Sequence, residues 1–247
     1  MRIRKFILGM MALAVLSVSC SKRQDGERLD GRVSFSLDTD GQVTIVSKSS
    51  VADYSTLPQA GKFTIVLTNS NGDEVYDGLL EAYNASTSLK TGNYSVSATY
   101  GAASDEGFDK PFFSGSKTFS ITGGGTTTVS IPVSLANSII KVECGETFKS
   151  YYTDYSFTVK TGGGSTIAFP KGETRAAFVD AYTISVSGTL TNQAGKTSNF
   201  SKDYKSLSPK TCYTLKFDVS NVGGNSISVS FDDTVEDVEL TDVDLND

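Results

Sequence analysis

The chain has 247 residues, 22 basic and 28 acidic side chains, three Cys, no His and no Trp. A hydrophobic content of 38% with a net charge of −6 excludes a wholly disordered chain, and no apolar run reaches the ~18 residues that a membrane-spanning helix needs. Without an imidazole there is no Ser-His-Asp or Cys-His nucleophile, no His-ligated zinc and no side chain whose ordinary pKa lies near neutrality. The composition therefore predicts a protein that is not an enzyme, with no cofactor, no metal site and no nucleic-acid partner.

At the N-terminus, Arg2, Arg4 and Lys5 precede an apolar stretch from Phe6 to Val18. That stretch is too short to cross a bilayer and has the length of the apolar core of a secretion signal. It ends in Leu16-Ser17-Val18-Ser19-Cys20, which resembles a bacterial lipobox with its Leu one place further from the Cys than usual. The expectation is a lipoprotein signal peptide over 1–19, cleavage before Cys20, and lipidation of Cys20 by a diacylglyceryl thioether and a palmitate-type acyl chain. Cleavage would remove three bases and no acid, leaving 19 basic against 28 acidic residues. Ser21 stands where Asp would hold an enteric lipoprotein at the inner membrane. An outer-membrane lipoprotein is predicted, facing the cell surface or, as the alternative, the periplasm. Residues 20–30 are polar and aperiodic and predict a flexible tether.

From Arg32 onward apolar residues recur at every second position, the pattern of half-buried strands. The series runs through Val33/Phe35/Leu37, Val43/Ile45, Phe63/Ile65/Leu67, Tyr94/Val96/Ala98/Tyr100, Phe119/Ile121 and Val129/Ile131/Val133. It continues with Ile140/Val142, Phe157/Val159, Ile184/Val186, Tyr213/Leu215/Phe217/Val219 and Ile227/Val229/Phe231. Turn signals separate the runs, among them Asp40-Gly41, Asn71-Gly72, Gly123-Gly124-Gly125, Gly162-Gly163-Gly164 and Gly223-Gly224. One short helix is expected over Gly78–Ser86.

Short strands at this spacing predict an all-β protein, and its length fits two tandem antiparallel Greek-key-like β-sandwiches better than one. The first domain is placed at 31–135 and the second at 138–232, with the join at Ser134–Ser138. No strong internal sequence repeat links the halves. Residues 233–247 form an acidic tail, and the segment from Asp232 carries eight acids and no base. Such a run reads as a solvated extension, yet Val238/Leu240 and Val243/Leu245 alternate as an extended strand would.

The lipobox, the segments Gly92–Gly101 and Phe113–Phe119, the junction Val133–Val142 and Tyr213–Phe217 together resemble a family of uncharacterised Bacteroidetes lipoproteins with tandem β-sandwiches, similar in layout to fimbrillins. The resemblance implies a structural or adhesive role in the cell envelope. The alternative is a glycan-binding lipoprotein of a polysaccharide-uptake system. The implied partners are the membrane through the lipid and other surface proteins or glycans. In fimbrillin-like assembly a chain is trimmed after an Arg or Lys in an early strand, and Arg32 or Lys62 would be such a place.

Cys144 and Cys212 remain once Cys20 carries lipid. In an oxidising compartment they can form a disulfide closing about 68 residues, worth about 2–4 kcal/mol, or stay as two separate buried thiols. Phe148, Tyr151, Tyr152, Tyr155 and Phe157 can stack on sugar rings or sit half-buried in strands. Gly195-Lys196-Thr197 lacks the Gly that a phosphate loop needs at position 190, where Leu190 stands, and predicts a hairpin turn. Asp38-Thr39-Asp40-Gly41 opens like a calcium loop but has Ser49 where the closing Glu belongs, so it too predicts a turn. Asp233-Thr234-Val235 matches a short Bacteroidetes O-glycosylation sequon, making Thr234 a candidate acceptor.

Overall fold

A computed structural model describes residues 30–40, 44–45, 58–180, 182–219, 226–231, 234–239 and 241–242. Cys20, the signal and tether segments and the loop after Asp40-Gly41 lie outside the described residues. Among those described the regular structure is nearly all strand, with one α-helix and two 3-10 turns.

The first half contains β1 (Asp30–Asp40), β2 (Thr44–Ile45), β3 (Thr64–Asn69), β4 (Glu74–Leu79), β5 (Leu89–Lys90), β6 (Gly92–Tyr100), β7 (Gly107–Phe108), β8 (Phe113–Ile121) and β9 (Thr126–Leu135). The second contains β10 (Ser138–Cys144), α1 (Glu146–Tyr151), β11 (Tyr152–Thr161), β12 (Thr166–Pro170), β13 (Ala177–Val179), β14 (Thr183–Asn192), β15 (Thr197–Lys205), β16 (Thr211–Val219), β17 (Ser226–Phe231), β18 (Thr234–Glu239) and β19 (Thr241–Asp242). The helix expected over Gly78–Ser86 is instead the end of β4 followed by a single 3-10 turn, Leu80–Ala82. Gly78 and the lack of any capping side chain leave that segment nothing to sustain a longer helix.

Each half has the same strand order. In the first, β4-β3-β6-β8 faces β9-β1-β5; in the second, β12-β11-β14-β15 faces β16-β10-β13. In both, the opening strand of the half runs parallel to a late strand, β1 with β9 and β10 with β16, while the remaining pairs of the two layers are antiparallel. The sequence carries no such repeat because only the alternation of apolar residues is needed to bury one face of each strand. In the first half the layers are stitched at Phe113↔Leu135 and Ser114↔Ser134, where a Cβ on Gly115 would overlap the Pro132 carbonyl.

Ser138–Ile140 of β10, all of β13 and Thr211–Leu215 of β16 are buried on both faces. Ile140, Ala177, Val179, Tyr213, Leu215 and Phe217 point into the second core, whereas Ile139, Phe178 and Cys212 join Val33, Ile65 and Ile131 in the first. These stretches accordingly read as continuous apolar runs such as Ala176–Val179, the mark of two-sided burial. The join at Ser134–Ser138 is no exposed linker, since Asn137 and Ser138 are only 2% and 0% exposed.

The acidic segment is docked over 234–239 and 241–242. β18 pairs antiparallel with β17, and β19 crosses to the opposite layer to pair with β15.

Candidate functional site

Two short strands of the first half add to the second. β2 runs parallel to β16 through Thr44↔Thr211 and Ile45↔Cys212, and β7 pairs with β13 through Phe108↔Ala177 and Gly107↔Phe178. The loop holding β7 carries the buried carboxylate of Glu106, only 9% exposed. Glu106 Oε1 accepts from the Asp180 N–H at 2.7 Å and its Oε2 from the Thr161 hydroxyl at 2.5 Å. Burial would push this carboxyl up, but those bonds, with others from Ser165, together hold it below the usual range.

Around that anchor Phe108 packs on Phe169 at 5.1 Å between ring centroids, and the Arg175 guanidinium lies 4.4 Å from the Phe108 ring. Arg175 donates a fork of bonds to Glu173, holding that carboxyl down to about 2, and reaches Asp109 at 3.7 Å. On the other side of the junction Asn137 accepts from the Phe112 N–H through its side chain and from the Lys210 N–H through its backbone. The halves are thus joined by buried, directed bonds as well as by shared apolar surface.

Beside β10 a cavity of about 370 Å³ is lined by Cys144, Glu143, Lys149, Tyr155, Phe157 and Phe169 among others. Burial pushes the Cys144 thiol up to about 11, against a hydrogen bond from Tyr155 and the charge of Lys149. Burial likewise raises the Tyr155 hydroxyl. Both stay protonated at neutral pH, so neither is a nucleophile or a base there. A shallower recess on the first half is lined by Asn69, Asn93, Ser95, Thr118 and Ser120, with Asn93 already accepting from the Ser120 hydroxyl at 2.6 Å.

Of the two readings of Cys144 and Cys212, a disulfide or separate thiols, the structure has separate thiols. On the paired strands β10 and β16, Cys144 stands opposite Phe217 and Cys212 opposite Ile139. Five rungs at about 3.3 Å separate them, roughly 16 Å, whereas bridged Cα atoms lie within about 7 Å. They also face different cores: Cys144 packs against the second and Cys212 sits in the first. Burial pushes Cys212 up to about 11 as well.

The aromatic cluster is core rather than platform. Phe148, Tyr152, Tyr155 and Phe157 are buried, Phe148 lies within 4.7 to 6.2 Å of the other three rings, and Phe157 stacks on Phe217 at 4.1 Å. Gly195 takes a φ of +77° in the hairpin between β14 and β15, as its turn reading requires. Asp38 and Asp40 are part of β1. Thr234 opens β18 opposite Phe231. Among the described residues no group of three or more acids or thiols is placed to hold a metal ion. The Glu106 anchor escaped the sequence reading, because a lone Glu in Ala102–Lys110 has the composition of a solvated loop.

Residues 30–246 match the family model described as Domain of unknown function (DUF4493). The chain belongs to that family. No curated protein matches the DUF4493 chain. Among solved structures it is similar to a candidate polysaccharide binding protein (DUF1812) from Bacteroides thetaiotaomicron VPI-5482, at 12% identity and a TM-score of 0.46, covering 84% of this chain and 98% of that one. It is also similar to a candidate cell adhesion protein from Bacteroides eggerthii DSM 20697, at 14% identity and TM-score 0.42, covering 88% and 98%. A third is the fimbrial anchor protein Mfa2 from Porphyromonas gingivalis, at 8% identity and TM-score 0.38, covering 85% and 99%. The all-β tandem β-sandwich layout expected from the sequence is the one this DUF4493 chain has.

Proposed function

We propose that this protein is a lipid-anchored structural or adhesive element of the cell envelope, without enzymatic activity. The observation that carries the reading is the junction. The two sandwiches, which we place at 31–135 and 138–232, meet at strands β10, β13 and β16, whose residues enter both cores, and at the buried Glu106 anchor. Such a joint transmits force and holds distant edges at fixed separation, which a scaffold needs and a solitary binding module does not. The cavity that could have held chemistry contains a thiol and a phenol whose burial keeps them protonated.

Cys20 is the proposed lipid attachment point, placing the protein on the outer membrane with its sandwiches toward the cell surface. Thr234 is the proposed O-glycan acceptor, at the start of an edge strand. The glycan-binding alternative has less support, since Phe148, Tyr152, Tyr155 and Phe157 are buried in the second core and Tyr151 is half-buried against it.

The test is to follow the native protein and Cys20→Ala in cells. Metabolic labelling with palmitate, membrane fractionation and protease shaving are expected to show a labelled, membrane-bound, externally cleaved native protein and an unlabelled, soluble variant. Loss of the gene should reduce attachment of cells to surfaces or to one another. Unlabelled native protein refutes the anchor, and attachment unchanged by deletion refutes the adhesive role.

A further inference from the structure

The two halves place equivalent strands at one free edge of each sandwich, β4 in the first and β12 in the second, and they treat those edges differently. Strand β12 presents Thr166, Ala168 and Pro170 away from the core, followed by Lys171, whose ammonium bonds to the Thr153 carbonyl. Proline and lysine at an edge discourage the addition of another strand. Strand β4 presents Val75, Asp77 and Leu79 instead, with Val75 40% and Leu79 39% exposed. Of the large apolar side chains described, only Tyr182 is exposed to a comparable degree.

The local geometry interrupts this edge at Val75 and braces it from Tyr76 to Leu79. A bulge between Leu67 and Thr68 opposes Thr68 to Glu74 and leaves Val75 as the extra residue. On the inner side the Tyr76 ring lies over Gly78 and its hydroxyl donates to the Leu79 carbonyl at 2.8 Å, bracing the strand from within. Among the described residues no strand pairs with the outer side of β4, and no cation lies in ion-pair range of Glu74 or Asp77. The edge therefore offers backbone donors and acceptors beside an apolar–acidic–apolar row.

We propose that β4 is a strand-addition site for an extended segment of another protein that carries a basic residue between two apolar ones at alternate positions. Main-chain bonds along Glu74–Gly78 supply the binding, while the base pairs with Asp77 and its apolar neighbours cover Val75 and Leu79. A second copy of β4 fits worse, because pairing centred on Asp77 sets like charges opposite each other. The inference deepens the surface-scaffold reading by naming its partner chemistry, and its test does not depend on the lipid anchor.

The probe is the peptide acetyl-Ile-Thr-Lys-Thr-Ile-amide, with the same peptide carrying Glu for Lys as the control, added to the mature chain with Cys20→Ser. Nuclear magnetic resonance is expected to show amide shifts and slowed hydrogen exchange confined to Glu74–Gly78. The Lys peptide should bind about tenfold more tightly than the Glu peptide, a difference of about 1.4 kcal/mol. Val75→Lys and Leu79→Lys, both at exposed positions, should each remove binding while leaving the circular dichroism spectrum unchanged, and Thr166→Lys on β12 should leave binding intact. Equal binding of the two peptides, shifts located elsewhere, no binding, or binding that survives Val75→Lys overturns the proposal. A stable dimer of the chain that Val75→Lys dissolves also overturns it, assigning the edge to a second copy.

Discussion

The two halves of the molecule carry one strand order but bury it differently. In the first half each strand hides one face, so Ser, Thr and Asn fill the other: Asn93, Ser95, Thr118 and Ser120 lie outward around buried Tyr94, Val96 and Ile121. In the second half Ser138–Ile140 of β10, all of β13 and Thr211–Leu215 of β16 hide both faces, because the first half packs against their outer side. Tandem sandwiches of equal topology thus become one body by making the sheet of one the interface of the other. The same comparison explains the chemistry of the cysteines, which share a sheet yet belong to opposite cores.

This asymmetry can be broken most severely in the second core. Phe217→Ala removes the ring stacked on Phe157 and in contact with Phe148 and Phe200, and is expected to cost about 3–5 kcal/mol by chemical denaturation. Ile139 is fully buried in the first core although it stands on a strand of the second half. Ile139→Ala should cost about 2–5 kcal/mol and lower the hydrogen-exchange protection of both halves together. A variant that loosens only the second half would show that the shared sheet does not couple them.

Glu106→Ala leaves the Asp180 N–H and the Thr161 hydroxyl without their acceptor and should cost about 1–3 kcal/mol. Its pH dependence follows from the sign of the shift. The carboxyl titrates lower folded than unfolded, so its contribution is complete above the unfolded value of about 4.3 and is lost as pH falls through the folded one. Native and Glu106→Ala proteins should therefore converge in stability as melting is followed from neutral pH into the acid range.

A smaller effect of opposite sign is expected at Tyr83. Its hydroxyl is buried with no hydrogen-bond partner among the described residues, between Phe35 and Tyr76. Tyr83→Phe should raise stability by up to about 1 kcal/mol, read as a slightly higher melting temperature. The least perturbing probe is a thiol reagent at neutral pH, which should label Cys144 and Cys212 slowly in the folded chain and both quickly after unfolding, with no prior reduction.

Much of this fold is legible in the sequence, and the misses have physical causes. The long strands with one wet face announce themselves through alternation, as in Phe63/Ile65/Leu67. Strands β5 and β7 span two residues each and have no period to detect. The alternation of β4 is interrupted by its bulge at Val75 and by Gly78, and the run Ala176–Val179 of β13 lacks alternation because both its faces are dry. The tail carried two opposed signals, charge and period, and contacts from the rest of the sheet decided between them. Of the candidate sites, the aromatic cluster and the thiols were visible as residue types, but which core each enters depends on packing of the halves. Glu106 had no signal at all, since its burial is created by a loop crossing to the other half.

The most direct measurement of that coupling is differential scanning calorimetry of the mature chain, with and without Ile139→Ala. A shared sheet and a buried anchor predict a single transition whose calorimetric and van't Hoff enthalpies agree, shifted as one by the substitution. Two separable transitions in the native chain, only one of them moved by Ile139→Ala, would contradict the account.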